Sequence, residues 1–209
     1  QTLLKKGLAI ERMLDSLIIN KSIKAQDLLV GDRNALIIAS RISGYGANYK
    51  TQLACPSCGD RTAFDFDLTK QKIHESQENE ELGLTKLDNG NFTCKMPYSK
   101  FNIEFRLLDG KDEQYLTKLM SDKKKRKMME TTLTDQFKLM IVSIEGHSDR
   151  TIVSKYVNNM PTLDSTQLRA CYKIAAPDVK VKDSFECDSC GFQQEMEVPF
   201  NTDFFWPNR

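Results

Sequence analysis

Four of the six cysteines stand as two copies of one short device, Cys55-Pro56-Ser57-Cys58-Gly59 and Cys187-Asp188-Ser189-Cys190-Gly191. Thiolates three positions apart can face a single cation, and the tight turn between them points backbone N–H groups at sulfur. Glycine after the second cysteine of each copy suits a turn that needs positive φ. Four thiolates complete a tetrahedral shell, so the pattern predicts one structural Zn2+ on Cys55, Cys58, Cys187 and Cys190, with no coordination position left for catalysis. Cys58 and Cys187 are 129 positions apart, far beyond the roughly 15 to 20 residues of a local ribbon. The ion would close a long loop, and metal binding would become part of the folding free energy. The competing readings are disulfides and redox-active CxxC pairs, and thioredoxin-like redox chemistry calls for a βαβ setting that the pattern does not supply.

The remaining reactive side chains build no second site. Cys94 and Cys171 fall inside apolar patterns and read as core thiols. The two histidines, His74 and His147, lie away from the cysteine devices, so no Cys–His nucleophile is assembled. No phosphate-binding glycine loop, GxSxG elbow or HExxH pair occurs, and the chain reads as a non-enzyme without a small-molecule substrate. Thirty basic residues balance 29 acidic ones for a net charge of +1, which lacks the broad basic field of a duplex-binding protein. The run Lys123-Lys124-Lys125-Arg126-Lys127 reads as a solvated helix face, and nucleic acid is not an expected partner. No stretch is long and apolar enough for a membrane span, and none reads as a secretory leader. A reducing compartment is therefore expected.

The elements that must position these cysteines follow from hydrophobic period. Ile10, Met13, Leu14, Leu17 and Ile18 form a helical stripe. A second helix is predicted from about Asp32, as cap, through Leu36, Ile37, Ala39 and Ile42 to Gly44-Tyr45-Gly46. Thr62 to Leu68 alternates as a strand with Phe64, Phe66 and Leu68 on one face. Residues 70–90 read as an acidic loop, and Phe92–Met96 with Phe101–Leu108 as a hairpin. Four helical stripes follow, the second running Leu133, Phe137, Met140, Ile141, Ile144, and Phe192 to Val198 returns to strand.

The expected fold is α+β: N-terminal helices over 1–50, a zinc-ribbon-like element in two halves at 51–69 and 183–203, and an inserted hairpin and small helical subdomain. The insert divides into the acidic loop and hairpin at 70–110 and the helices at 111–176, and an aromatic tail occupies 204–209.

Leu28-Leu29-Val30-Gly31-Asp32-Arg33, Arg41-Ile42-Ser43-Gly44-Tyr45-Gly46, the first cysteine device and Phe64-Asp65-Phe66-Asp67-Leu68 together resemble the baseplate hub assembly proteins of T-even-type contractile-tailed bacteriophages. The resemblance is densest over 28–68 and covers the rest in outline. It implies a subunit or assembly chaperone of the central hub, working through contacts with other hub or tail proteins. Such a protein would act in the host cytoplasm during assembly or remain in the tail baseplate of the virion. Arg33 and Arg41 can make bidentate carboxylate contacts and are candidate partner-facing residues. Phe204, Phe205 and Trp206 are either the last piece of core or an anchor for another subunit. A zinc-ribbon nucleic-acid-binding or transcription-associated protein is the alternative. It would gather its basic residues on one face beside the ribbon.

Overall fold

The computed structural model describes residues 8–129, 131–199 and 202–205, as an α+β chain that divides into two compact units. The first takes the N-terminal helix α1 (Leu8–Leu17), residues from Gly31 to His74 and those from Asp178 onward. The second takes Lys24–Val30 and Glu75–Pro177.

In the first unit, helix α2 (Val30–Tyr45) leads into strands β1 (Asn48–Ala54) and β2 (Arg61–Asp67), an antiparallel hairpin registered from Asn48↔Asp67 to Ala54↔Arg61. Helix α2 opens at Val30 rather than at Asp32. Asp32 therefore sits inside the first turn, where its charge still suits the helix N-terminus, and is not the cap. Residues 70–90, expected as loop, contribute β3 (Lys72–His74) here, paired antiparallel with β8 (Asp178–Lys180). The chain thus leaves this unit and returns to it along one short ladder. Strands β9 (Lys182–Glu186) and β10 (Gln193–Glu197) make a second hairpin, and α7 (Thr202–Phe205) follows. Leu14, Ile38, Tyr49, Phe66, Leu68, Phe185 and Phe204 are all but fully buried and form the core.

The second unit is a four-stranded antiparallel sheet, in the order β4 (Thr85–Lys86), β5 (Phe92–Lys95), β6 (Asn102–Phe105), β7 (Ile141–Ile144), with four helices. These are α3 (Gly110–Lys125), α4 (Thr132–Met140), α5 (Arg150–Asn158) and α6 (Thr162–Ala175). Asp109 and Asp112 cap α3 reciprocally, and Asp149 caps α5 through Thr151 N–H. The stripe expected to be one helix from Leu133 to Ile144 breaks at Met140. Ile141, Val142 and Ile144 are β-branched, and the open edge of β6 offers them a ladder, with Ile103↔Ile144 and Phe105↔Ile141 in register. Spacing alone fitted both periods, and the sheet edge decided. Phe92, Met96, Ile103, Phe105, Phe137, Met140, Val153 and Leu168 pack into one core.

One buried charge organises the hairpin turn between β5 and β6. Asp164, in the first turn of α6, is 0% exposed and accepts from Tyr98 N (2.8 Å), Ser99 N (3.2 Å) and Tyr156 Oη (3.0 Å). Burial raises its pKa, but the donors of Ser99, Tyr98 and Tyr156 outweigh it and hold the carboxyl below its ordinary value. A depressed value means that the stabilisation is present above the unfolded-state pKa and is lost as pH falls through the lower folded-state value. Asp164→Ala should therefore cost about 1 to 3 kcal/mol at neutral pH by leaving the part-buried N–H groups of Tyr98 and Ser99 without their acceptor. In urea titrations the gap between wild type and variant should close as the pH is lowered through the acid range. An equal gap at every pH would show that the carboxylate charge plays no part.

Candidate metal centre

Each cysteine device closes one hairpin of the first unit, and the two closures are copies in backbone detail. Cys55 N–H donates to Asp60 O at 2.8 Å and Gly59 N–H to Cys55 O at 2.9 Å. Cys187 N–H donates to Phe192 O and Gly191 N–H to Cys187 O, both at 2.9 Å. Gly59 and Gly191 have φ of +80° and +69°, the left-handed geometry expected of them. The turn N–H groups then face sulfur. Ser57 N–H lies 3.4 Å from Cys55 Sγ, the N–H groups of Ser189 and Cys190 serve Cys187, and those of Asp60 and Phe192 serve Cys58 and Cys190.

The hairpins meet through aromatic packing. Phe64 of β2 lies 5.9 Å from Phe185 of β9, ring centre to ring centre, and 4.7 Å edge-on from Phe66. This brings all four sulfurs within 4.8 Å of one another, with Cys55–Cys190 at 3.7 Å and Cys58–Cys187 at 3.6 Å. A tetrahedron with metal–sulfur arms of about 2.3 Å has edges of about 3.8 Å, so the donor set fits a tetrahedral cation. Cys55 and Cys187 are buried, whereas Cys58 and Cys190 are exposed. For Cys58 the Asp60 N–H pulls the pKa down, but desolvation and the other three thiols push it up to about 12. Desolvation raises that of Cys187, yet the Cys190 and Ser189 N–H groups and the adjacent thiols lower it to about 6. Thiols forced in opposite directions cannot all ionise unaided, and a divalent cation removes that conflict.

Sequence reading missed one contributor. Thr62, 5% exposed, points its Oγ1 at Cys187 Sγ from 3.8 Å. It has the same strand parity as Phe64 and Phe66, so the alternation already placed it on the inward row, one step nearer the knuckle.

The other singled-out residues lie elsewhere. Arg33 pairs with Glu11 at 3.1 Å, both largely shielded. Arg41, 5% exposed, donates to Gly46 O and Asn48 O and lies 5.0 Å from the Tyr45 ring, 5.7 Å from Tyr49 and 5.8 Å from Phe204. Both arginines, expected to face a partner, are turned inward. The carbonyls after α2 need donors, and the aromatic rings receive the guanidinium face. Phe204 and Phe205, 0% and 2% exposed, take the core alternative; Trp206 lies outside the described residues. Cys94 and Cys171 are buried side by side in the second unit, where their contact and burial raise the pKa of Cys94. Within the basic run, Lys123 bonds Thr131 and Asp135 and is not solvated, whereas Lys124 to Lys127 are exposed.

The knuckle geometry makes a paired prediction. Gly59→Ala and Gly191→Ala should each destabilise the chain by about 1 to 2 kcal/mol, because an L side chain resists left-handed backbone. Gly44→Ala, in α2 with no heavy atom within 4 Å of the new Cβ, should instead stabilise by about 0.5 kcal/mol. Thermal melts read both signs, and a neutral Gly191→Ala would contradict the argument.

Among curated proteins and among solved structures, no match is found. The family described as "T4 bacteriophage base plate protein" matches residues 5–206. Nearly the whole chain is covered, including both cysteine devices and the helical insert between them. This meets the expectation raised by the Gly-Asp-Arg segment, the arginine-bearing helix and the first knuckle. The chain belongs to the T4 bacteriophage base plate protein family.

Proposed function

We propose that this protein is a non-catalytic subunit or assembly chaperone of the baseplate central hub, acting through protein–protein contacts and carrying one structural zinc ion. Convergence of Cys55, Cys58, Cys187 and Cys190 to tetrahedral spacing is the observation that carries the metal part. Bound zinc would cross-link the two hairpins, and a four-thiolate shell leaves it no site for substrate. Family membership supports work among other tail proteins. The closed shell supports a scaffold over an enzyme. The protein would assemble in the host cytoplasm and take its place in the tail baseplate. Among the described residues no helix is long and apolar enough to cross a membrane.

Metal analysis of purified protein should find about one zinc per chain. Cys187→Ser should lose the ion and, with it, a site contributing on the order of 10 kcal/mol to apparent folding free energy. That variant should be insoluble and leave infected cells without complete baseplates. Cys94→Ser, in the separate core, should keep its zinc and lose roughly 1 to 3 kcal/mol. A Cys187→Ser protein that folds without metal and still supports tail assembly would remove the zinc claim, as would iron in place of zinc. Mass spectrometry of purified tails and of assembly intermediates tests the hub claim, and absence of the chain from both would refute it.

A further inference from the structure

The turn clamped by Asp164, with α5 and α6 next to it, leaves large apolar side chains out in water. Tyr98 is 66% exposed, Phe101 41%, Ile152 44% and Leu163 62%. They share one corner of the second unit. The Phe101 ring lies 5.8 Å from that of Tyr156, which stands one turn after Ile152 on the same face of α5. Tyr98 N–H binds Asp164, the neighbour of Leu163.

The corner is also rigid. Met96 N–H donates to Phe101 O at 2.8 Å, and Asp164 fixes the backbone of Tyr98 and Ser99. Lys100 sits at φ +63°, a left-handed conformation that glycine would take more readily. Folding gains little by ordering aromatics that stay in water, whereas a partner that meets them already ordered is spared that entropy.

We propose that this corner is a docking surface for another baseplate protein, one presenting an apolar segment flanked by carboxylates. The acidic flank follows from the rim. Lys100, on the turn, and Lys155, one turn along α5 from Ile152, are both exposed, and neither has a carboxylate partner among the described residues. The nearby carboxylates are already engaged, Glu145 by Asn102 N–H and Asp164 by the turn. A second copy of this chain fits less well, since symmetric self-contact would set one cationic rim against another. Apolar aromatics inside a charged rim are the arrangement of interaction hot spots. The proposal rests on the reading that the protein works through protein–protein contacts.

The test titrates the full chain with each of the phage's other purified baseplate proteins by biolayer interferometry, at low and high salt. With one of them, the Tyr98→Ala/Leu163→Ala double variant should bind about 30-fold more weakly while its melting temperature and metal content stay unchanged. Lys100→Glu/Lys155→Glu should slow association and flatten the salt dependence. A baseplate protein that binds both variants as tightly as wild type would overturn the surface and leave the assembly reading intact. Self-association abolished by Tyr98→Ala/Leu163→Ala in sedimentation velocity, without effect on any baseplate protein, would reassign the corner to a second copy and overturn the proposal. If no baseplate protein binds the wild type, the surface and the assembly reading fall together.

Discussion

Four thiols from two places 129 positions apart in the chain converge within 4.8 Å, and the first unit depends on that convergence. Each hairpin alone is a two-stranded ribbon, a form that is marginal in water. Phe64 against Phe185 joins the hairpins through one aromatic contact, and the sulfur cluster supplies the second point of attachment. At 3.6 Å one thiol's ionisation comes at the expense of its neighbour's, so the fully ionised cluster is unfavourable unless a cation neutralises it. The same groups that would weaken the unit without metal would lock it with metal.

Nearly all of a compact unit can therefore lie between the two halves of the candidate metal site. The cost of closing a loop grows only with the logarithm of its length, about 0.6 kcal/mol for each doubling. The β3–β8 ladder, pairing His74 with Asp178, brings the chain together where the insert begins and ends. The insert has its own sheet and its own core, in which Cys94 and Cys171 serve as small apolar side chains. Six cysteines thus divide by environment. Four sit at turns whose N–H groups face sulfur, and two sit in contact with each other within a buried apolar core.

Buried charges in the two units do different jobs. Arg41 supplies donors to the carbonyls of Gly46 and Asn48 and packs its guanidinium over aromatic rings, which joins the end of α2 to the start of β1. Asp164 accepts from a turn whose side chains face solvent. The first arrangement stabilises an interior junction, while the second orders a surface. In a family whose members belong to a baseplate, an ordered apolar surface suits a protein that works through contacts with other tail proteins.

Local chemistry was legible in the sequence wherever a short stretch settles its own geometry. The CxxCG spacing specified both knuckles and the positive φ of Gly59 and Gly191, and alternation at Phe64 and Phe66 specified β2. Helical stripes placed α1 and α2 to within a few residues. Tertiary structure alone decided what depends on a distant neighbour. Ile141 to Ile144 became strand because β6 had an open edge. Arg33 and Arg41 turned inward because Glu11 and the carbonyls after α2 were there to receive them. Spacing states what a cysteine pair can bind, but only the packing of the two hairpins brings the second pair to the distance from the first that one tetrahedral ion would require.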